Sequence, residues 1–532
     1  MTQVGWATVS AASKRIRRYA SACVRIDTRS LAVFRVIAGS LVVADLLLRA
    51  RNFSFFYTDD GVVPRSLAIA VTRDNAFSFY HLTTDPTAIA ALFVVQALIA
   101  IQLIVGYRTR IATVLTFLFV VSLDHHNPFV LSYADTLFRL LLFWAVFLPL
   151  GDRWSIDAVH ADRPPRGSVA NLASAAILLQ MVFMYFVNGL HKTGSELWTS
   201  GEATVLIFGL DDTTFLLGDF MRTFPTLLEY GGLLWFYLLL GSVLLVLLPG
   251  RARLLLVGLL LGGHAAFAIT VRIGAFPYVS IAGLTLFLQA RFWDDLAAVG
   301  RLLERYRPGL TAHVAALSRW GARTGRRVPY YRLPREPIEP ITRTAFTIVL
   351  VIAFVSIMVL PAASLVEETP VVDTDHDPAQ HVDDTLRIVG VNQPPWTVFA
   401  PNPRTVDRYY VFPALTTEGD RYDVYNDRKL TFERPHDQLQ KQYHTYRERF
   451  YMNSVRRAGS HGEASRVYAA YLCDTWTDED GAELTHLNMY VVTERVTQET
   501  IDDPSERDRQ VDLIYRYGCG DNNPRVIEPP DE

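Results

Sequence analysis

The chain has 532 residues, of which 50% are hydrophobic, and its formal net charge is −3. Its length exceeds that of one ordinary soluble domain, and its mean hydropathy of +0.17 is high for a soluble protein. The three cysteines include no C-x-x-C pair, which excludes a thiol–disulfide relay and a zinc-ribbon site. Phosphate-loop, zincin and serine-hydrolase motifs are also missing from any credible context.

The chain begins with a basic leader, residues 1–29, which feeds a membrane helix and lacks the features of a cleaved signal peptide. Apolar runs then predict about nine transmembrane helices. They lie near residues 31–48, 88–105, 111–123, 136–150, 172–190, 227–248, 254–271, 275–288 and 345–360. Several runs are shorter than the roughly 20 residues that a span needs, so their bounds are approximate.

Arginine-bearing loops predict the orientation. Residues 106–110, 151–169, 249–253 and 291–343 would all be cytoplasmic if the N-terminus is, as the positive-inside rule requires. The loop after the first span carries arginines and is the exception. An odd number of spans then places everything after residue 361 outside, so we expect a multi-pass protein of the plasma membrane. Because orientation explains the basic segments, nucleic-acid binding has no support.

The predicted organisation has six parts. After the leader, a transmembrane domain occupies residues 30–292, and an arginine-dense segment at 293–342 reads as a cytoplasmic interfacial helix. The last span lies within residues 343–361, and an acidic linker follows at 362–385. Alternating stretches at 409–412 and 489–493 predict strands and residues 438–455 predict a helix, so residues 386–532 should form a small exported α+β domain.

Two features of the exported region concern metal and disulfide bonds. The stretch from Asp375 to His381 could bind a metal ion, but its acidic, apolar-poor composition favours a solvated linker, and we predict no metal site. Cys473 and Cys519 would both lie in an oxidising space. We therefore predict a disulfide between them.

Lysine usage singles out one residue. The chain has 51 lysines and arginines, but its lysines are only Lys14, Lys192, Lys429 and Lys441. Arginine stays protonated in proteins, whereas a desolvated lysine can lose its proton and act as a base. Lys192 stands at the mouth of the fifth predicted span and is therefore a candidate base. The alternative is a lysine whose side chain extends to the headgroup level.

Other ionisable residues accompany the apolar runs. His264 follows two glycines in mid-span and either packs as a hydrogen-bonded helix contact or lines a site. Asp135 and Arg139 are four residues apart on one helical face, where they could neutralise each other or act directly in catalysis. The pair His125 and His126 has no acidic or cysteine partner at a telling spacing, which favours a structural loop over a metal site.

Four stretches together resemble a known family. They are GYR at 106–108, RWSID at 153–157, YFVNGLHK at 185–192, and His264 followed by IGAFPYV at 273–279. In order and spacing they resemble vitamin K-dependent γ-glutamyl carboxylase and its prokaryotic relatives, the horizontally transferred transmembrane (HTTM) domain proteins. The resemblance covers residues 31–293.

The resemblance implies a function and a site. In the carboxylase, the lysine at the place of Lys192 deprotonates reduced vitamin K, and the histidine at the place of His264 lies in the active-site region. The implied cofactor is a reduced vitamin K-type quinone such as menaquinol, used with O₂ and CO₂; its oxygenation to the epoxide is coupled to carboxylation of glutamate in an exported protein. Further pocket candidates are His191, Tyr185, Asp135, Arg139, Trp198, Arg272 and Tyr278.

Two departures leave a rival interpretation open. The carboxylase has an Asn-His pair between its third and fourth spans, a region that residues 133–135 roughly occupy here without such a pair. The tail differs from the carboxylase's lumenal domain and is more similar to that of prokaryotic relatives, with QPPW at 393–396 and FAPNP at 399–403. The rival is a non-carboxylating HTTM protein that binds quinone or membrane lipid and presents an exported partner-binding domain.

Overall fold

The computed structural model describes residues 14–72, 76–306, 309–331, 340–365, 378–478 and 480–528. Within these ranges, a helical N-terminal half is followed by a C-terminal domain that contains a β-sheet. Residues 366–377 of the predicted linker lie outside the described residues, and these include residues 375–377 of the metal-candidate stretch. Residues 378–385 of that linker belong to a helix, Pro378–Val389.

The N-terminal half consists of longer helices joined by connections that contain shorter ones. The longer helices are α1 (Thr28–Ala50), α2 (Pro86–Val105), α3 (Thr109–His126), α4 (Tyr133–Ala145), α5 (Leu172–Lys192), α6 (Pro225–Leu240), α7 (Gly250–Thr270), α8 (Phe276–Thr285), α9 (Ala290–Tyr306), α10 (Leu310–Arg327) and α11 (Pro340–Phe354). Shorter helices are Phe53–Tyr57, Arg65–Thr72, Ile156–Val159, Glu196–Ser200, Glu202–Phe208, Gly218–Arg222, Leu244–Leu247 and Leu360–Ser364.

Local sequence signals start several of these helices. The carboxylate of Asp27 caps α1, and Asp85 caps α2, whose first residue Pro86 has no backbone N–H to satisfy. A reciprocal capping box between Asn171 and Ser174 starts α5. These side chains satisfy backbone donors that would otherwise be unpaired where an apolar helix begins.

Among the described residues, six helices are long and apolar enough to cross a membrane, which indicates a multi-pass membrane protein. They are Thr28–Ala50, Pro86–Val105, Leu172–Lys192, Pro225–Leu247, Gly250–Thr270 and Thr344–Ala363. The predicted third, fourth and eighth spans correspond to α3, α4 and α8, which have 18, 13 and 10 residues and are not among the six.

Helix α3 is not among the six, but it runs between the same two ends of the bundle as its neighbours. At its start, the backbone N–H of Thr109 donates to the Asp157 carboxylate over 2.8 Å. Just past its other end, the Asn127 side chain donates to the carbonyl of Phe56, which lies beyond the last residue of α1. Helix α3 therefore reaches both ends of the bundle.

The described parts of the loops predicted to be cytoplasmic meet at one end of the bundle. The backbone N–H of Arg108 donates to Asp157 over 2.8 Å, and its guanidinium donates to the Tyr331 carbonyl over 2.7 Å. The guanidinium of Arg253 donates to the Cys23 carbonyl over 3.0 Å. Arg251 Nη2 lies 3.6 Å from Asp295, which joins the loop at 249–253 to the segment at 291–343. These four loops and the end of the leader are therefore on the same side, as the arginine pattern predicts.

The C-terminal domain sits at the opposite end. Arg447 donates to the carboxylate of Asp135 at the start of α4 over 3.0 Å, and the Tyr451 hydroxyl donates to the Val62 carbonyl over 3.3 Å. The helical bundle therefore separates this domain from the arginine-bearing loops.

The predicted interfacial segment forms two helices, α9 and α10, and the first of them begins at Ala290, slightly before the predicted start. Both keep large apolar side chains on their surface: Leu302 and Leu303 are each 48% exposed, and Trp320 is 68% exposed. Amphipathic helices with such faces suit a membrane surface.

The C-terminal domain contains both sheet and helices, as predicted. Its elements are α12 (Pro378–Val389), β1 (Val406–Val411), β2 (Pro413–Thr416), β3 (Arg421–Asp423), β4 (Arg428–Lys429), α13 (Tyr446–Ala458), α14 (Glu463–Thr475), β5 (Leu484–Arg495) and β6 (Arg509–Gly518). All strand pairs are antiparallel. Strand β5 pairs with β6 along one edge and with β1 and β2 along the other, and β3 and β4 extend the sheet beyond β2.

The predicted start of the helix at 438–455 is too early. Residues Leu439–Gln442 form one 3₁₀ turn, and the α-helix begins only at Tyr446, after Thr445. The Thr445 side chain caps the helix by accepting from the Glu448 backbone N–H, which fixes the start at this point.

Buried ion pairs join the sheet to the helical half. Asp407 on β1 accepts hydrogen bonds from the backbone N–H groups of Asp211 and Asp212 over 2.9 and 3.0 Å. Arg507 Nη1 lies 2.7 Å from Asp407 and 2.9 Å from Asp211. Because unpaired buried charges are costly, these groups hold the loop after Glu202–Phe208 against the sheet.

The predicted disulfide is confirmed. Cys473 in α14 is bonded to Cys519, which follows β6, and Cys23 in the helical half is a buried free cysteine. The bond closes a segment with a sequence separation of 46 residues. It holds the helix against the end of the sheet.

Replacing both bonded cysteines with serine should lower the free energy of unfolding of the C-terminal domain by roughly 2–5 kcal/mol, because the cross-link restricts the unfolded chain. Denaturant unfolding of the full chain, followed by tyrosine and tryptophan fluorescence, measures the change. Cys23→Ala is the matched control, since it removes a thiol without opening the loop. Equal unfolding midpoints for the parent and the double variant would contradict the expectation.

Candidate functional site

A cavity of about 480 Å³ lies among α5, α6, α7 and a segment of the C-terminal domain. Most of its wall is apolar, and the ionisable side chains in it are Lys192 and Tyr185 from α5 and His264 from α7. We call it the lysine cavity. The structure therefore brings the two predicted catalytic residues to one site.

The sequence of α5 explains how its polar residues reach this cavity. Tyr185, Asn188 and Lys192 follow spacings of three and four residues, which place side chains on one face of a helix. The helix is apolar around them and is largely buried in the bundle. Lys192, in its last turn, is only 2% exposed. Lys192 does not extend to the surface, which argues against the headgroup-level alternative.

The amine of Lys192 is held by neutral groups. Its Nζ donates to Asn188 Oδ1 over 2.8 Å and to the Val398 carbonyl over 2.6 Å. The ring of Trp198 lies 4.2 Å from Nζ. In the part of the chain that the structure describes, no carboxylate forms an ion pair with Lys192. The two hydrogen bonds and the ring therefore make up its described polar contacts.

A segment of the C-terminal domain closes the cavity at the lysine. The Asn188 side-chain amide donates to the carbonyls of Trp396 and Val398 over 2.7 and 2.9 Å. Trp198 Nε1 donates to the Phe399 carbonyl over 2.9 Å. We call residues 396–399 the lid segment, because their backbone covers the end of the cavity where Lys192 lies.

Further contacts fix the lid segment. Trp396 is fully buried, and its Nε1 donates to Gln393 Oε1 over 2.9 Å. The Gln393 side chain also pairs with Gln180 on α5, with Nε2 donating to Gln180 Oε1 over 2.7 Å. The hydroxyls of Tyr133 and Thr397 lie 2.8 Å apart. The lid segment is thus bonded to three helices of the N-terminal half: α4, α5 and the short helix Glu196–Ser200.

His264 is the second ionisable residue of the lysine cavity that the sequence predicts to be catalytic. It is fully buried, and its Nε2 lies 2.7 Å from the Tyr185 hydroxyl. Its Nδ1 has no hydrogen-bond partner among the described residues. A Cβ on Gly263 would lie 2.5 Å from the ring of Trp235, so glycine is needed for this tryptophan to pack beside His264. The unpaired nitrogen is a candidate ligand contact, since buried polar atoms usually have partners.

The cavity opens between two candidate membrane spans. Several of its lining side chains are also exposed on the outer surface of α6 and α7: Leu227 is 58% exposed, Leu234 49% and Leu259 39%. An apolar mouth between spanning helices gives access to an apolar ligand from a membrane.

A family model, the HTTM domain, matches residues 24–293. The chain belongs to the HTTM domain family. This domain is found in membrane proteins related to the vitamin K-dependent carboxylase. No solved structure matches the chain. The match contains Lys192 and His264 but ends before the lid segment, so the lid of this HTTM protein comes from outside the family domain.

The remaining predicted pocket residues of this HTTM protein divide between two cavities. Trp198 and Tyr185 line the lysine cavity, whereas Asp135, Arg272 and Tyr278 line a second cavity of about 490 Å³. His191, which is half-buried, and Arg139 are not among the lining residues of either cavity. We call the second the arginine cavity, after the four arginines in its wall.

The predicted pair of Asp135 and Arg139 is not formed. Arg139 Nη1 lies 3.4 Å from Asp124, and the Asp135 carboxylate accepts from the Ser132 backbone N–H over 2.7 Å and from Arg447 over 3.0 Å. Each charge has a partner on another element, because helix packing brings Asp124 of α3 to Arg139 and Arg447 of α13 to Asp135. The charges of Asp135 and Arg139 are therefore neutralised, but by partners on other elements and not by each other.

The adjacent histidines take part in backbone contacts. His125 Nδ1 lies 2.9 Å from the Phe77 carbonyl, and His126 Nε2 lies 3.2 Å from the Tyr57 carbonyl. These contacts agree with the interpretation as structural residues. Within the described ranges, no group of three or more histidine, cysteine or acidic side chains is placed to hold a metal ion.

Two parts of the site were missed from the sequence. Asn188 lies within the YFVNGLHK stretch, and its spacing of four from Lys192 is the signal that could have identified it. The lid segment overlaps the QPPW and FAPNP stretches of the tail, which carry no sign of a contact with Lys192. Nothing local places residues more than 200 positions downstream of Asn188 against the amine of Lys192.

Replacing Asn188 with alanine should loosen the lid segment, because it removes two hydrogen bonds to lid carbonyls. Hydrogen–deuterium exchange of a peptide covering residues 393–403 should become at least about tenfold faster, corresponding to roughly 1–2 kcal/mol. Asn52→Ala is the matched control, since the Asn52 side chain makes no capping hydrogen bond. Unchanged exchange in the Asn188 variant would show that these bonds do not hold the lid.

Proposed function

We propose that this HTTM protein is a multi-pass membrane enzyme of the vitamin K-dependent carboxylase type. It would oxygenate a reduced vitamin K-type quinone, with menaquinol as the expected form, and carboxylate glutamate in an exported protein. The observation that carries the proposal is that Lys192 and His264 line one apolar cavity whose mouth lies between candidate membrane spans. Family membership supports the same reaction class.

The lysine cavity suits a quinol. Its volume of about 480 Å³ lies within the usual range of small-molecule sites, and its apolar wall can hold an aromatic ring and the start of an isoprenoid chain. When bound, the reduced quinone supplies the acidic hydroxyl and the electrons for the reaction with O₂ that accompanies CO₂ capture. The unpaired Nδ1 of His264 and the amine of Lys192 are two polar atoms available to its oxygens.

Lys192 would act as the base at Nζ. A neutral amine has two hydrogens and one lone pair, and Asn188 and Val398 together accept both hydrogens. The lone pair is then free to take a proton from a bound hydroxyl. After the transfer, the face of Trp198 at 4.2 Å would favour the resulting ammonium through a cation–π contact.

His264 would position the ligand. The contact with the Tyr185 hydroxyl at 2.7 Å fixes the imidazole ring. If that hydroxyl donates to Nε2, the ring hydrogen is on Nδ1, which can then donate to a ligand oxygen. The lid segment would keep water away from this reaction, since its backbone covers the lysine end.

The proposed topology has nine crossings. It adds α3, α4 and α8 to the six long apolar helices, because α3 runs between the same two ends and the arginine-bearing loops all lie at one of them. The positive-inside rule makes that end cytoplasmic. The C-terminal domain, at the other end, would then lie outside the membrane, on the side where an exported protein client would be.

Single-cysteine labelling tests this orientation. In a Cys23→Ala background, an impermeant thiol reagent should label Thr193→Cys in intact cells and should not label Arg319→Cys until the cells are opened. Both positions are exposed, so access depends on the side of the membrane. The reverse pattern would contradict the topology.

A rival function is a non-carboxylating HTTM protein that binds quinone or lipid. The observation that favours it is the 2.6 Å contact between Lys192 and Val398, because an amine used only to hold the lid would make the same bond. Arginine can make such a bond but cannot act as a base at neutral pH. Substitution of this residue therefore separates the two functions.

Lys192→Arg should abolish O₂-dependent oxidation of menaquinol by the purified protein in nanodiscs, lowering the rate by at least about a hundredfold, as is typical for loss of a general base. Lys441→Arg, at a lysine of the C-terminal domain outside the lysine cavity, is the matched control and should leave the rate unchanged. Lys192→Ala should also be inactive and should regain part of the rate when a small amine is added. A Lys192→Arg variant as fast as the parent would exclude the base role.

A further inference from the structure

The arginine cavity lies beside the lysine cavity but is a separate space. One segment, residues 271–279, forms the wall between them: Val271, Ile273 and Phe276 line the lysine cavity, whereas Arg272 and Tyr278 line the arginine cavity. The rest of its wall comes from the last turns of α1, from α3 and α4, and from residues 444–447 of the C-terminal domain.

Part of its charge is already compensated within the protein. Arg49 Nε lies 2.7 Å from Asp45, and its Nη2 lies 2.9 Å from Asp124. Arg447 pairs with Asp45 and lies 3.0 Å from Asp135. Two arginines therefore match three acidic side chains, and Arg139 supplies the further positive charge next to Asp124. These groups form a buried, nearly neutral network.

Two further arginines in the wall have no acidic partner among the described residues. The guanidinium of Arg51 makes no hydrogen bond or ion pair in the described structure and is exposed. Arg272 Nη1 donates to the carbonyl and the side-chain oxygen of Gln440 over 2.7 and 3.1 Å, and among the described residues no carboxylate forms an ion pair with it. Within the described part of the chain, two arginines of the cavity wall thus take part in no ion pair.

A third basic group stands at the edge. His444 lines the cavity and its side chain is 81% exposed. The Glu448 carboxylate, 3.1 Å from Nδ1, accepts a hydrogen bond from the ring and raises the pKa of His444. A protonated His444 is matched by the Glu448 carboxylate, so this pair adds no net charge to the opening.

The rim of the cavity is also apolar. Leu48 in α1 is 56% exposed and Tyr278 in α8 is 47% exposed, and both line the cavity. Leu41, Phe138 and Val279 continue the apolar wall inward. Arg51 follows directly on the end of the span Thr28–Ala50, where the phosphate groups of a bilayer are expected.

We propose that the arginine cavity binds the phosphate of an anionic phospholipid, with Arg51 and Arg272 as the phosphate contacts and the acyl chains passing Leu48 and Tyr278. Guanidinium groups at the end of a membrane helix suit lipid phosphate, since arginine donates bidentate, charge-assisted hydrogen bonds. A free acidic peptide would use the same charges but has no need of an apolar rim on a membrane span.

Lipid binding to the purified, delipidated full-length protein tests the proposal without any turnover. Native mass spectrometry in detergent should show binding of phosphatidylglycerol in preference to phosphatidylcholine. Arg51→Gln should weaken binding of phosphatidylglycerol by about tenfold, and Arg51→Gln with Arg272→Gln by roughly a hundredfold, because each removes one charge-assisted contact. Arg457→Gln, at an exposed arginine of α13 outside the cavity, should leave binding unchanged.

The single Arg51 variant keeps the test decisive if the double variant does not fold, because the Arg51 side chain has no hydrogen bond or ion pair in the described structure to lose. Equal binding of the two lipids, or an equal loss in the Arg457 variant, would overturn the proposal. Displacement of phosphatidylglycerol by millimolar inorganic phosphate would assign the site to free phosphate, and displacement by a glutamate-rich peptide would assign it to an acidic protein. Either displacement also overturns the lipid assignment.

Discussion

The fold depends on pairing polar groups that are buried in an apolar helical bundle. Asp45 and Asp135 face Arg447 of the C-terminal domain, and the amine of Lys192 faces the Val398 carbonyl of the same domain. Removing one partner from a buried pair leaves an uncompensated charge, which is strongly destabilising. The C-terminal domain therefore completes the polar interior of the membrane half, and the two halves should be stable only together.

The same constraint shapes the site. The HTTM family match supplies the lysine, the histidine and the apolar walls, but it ends before the lid segment that accepts hydrogen bonds from Lys192 and Asn188. A lysine surrounded by neutral acceptors and one indole ring differs from a lysine in an ion pair, since its proton is not held by a carboxylate. This arrangement suits the proposed base, and the lid links the geometry of the amine to the C-terminal domain.

The two cavities share one wall, and backbone geometry makes the sharing possible. Gly274 has a φ of +68°, and a Cβ at this position would lie 1.9 Å from the ring of Tyr446. Glycine therefore lets α13 pack directly on the segment that separates the cavities. A ligand bound to Arg272 and one beside Ile273 would touch opposite sides of this segment.

The sequence by itself determined the features that local patterns encode. Apolar runs located the long spans, arginines identified the loops that share one end, and lysine scarcity singled out Lys192. Tertiary structure alone decided the partners: Asp135 pairs with Arg447 rather than Arg139, and residues 396–399 cover the lysine. Hydropathy and helical spacing report which face of a helix is apolar, whereas a contact between residues 200 or more positions apart depends on how all the helices pack.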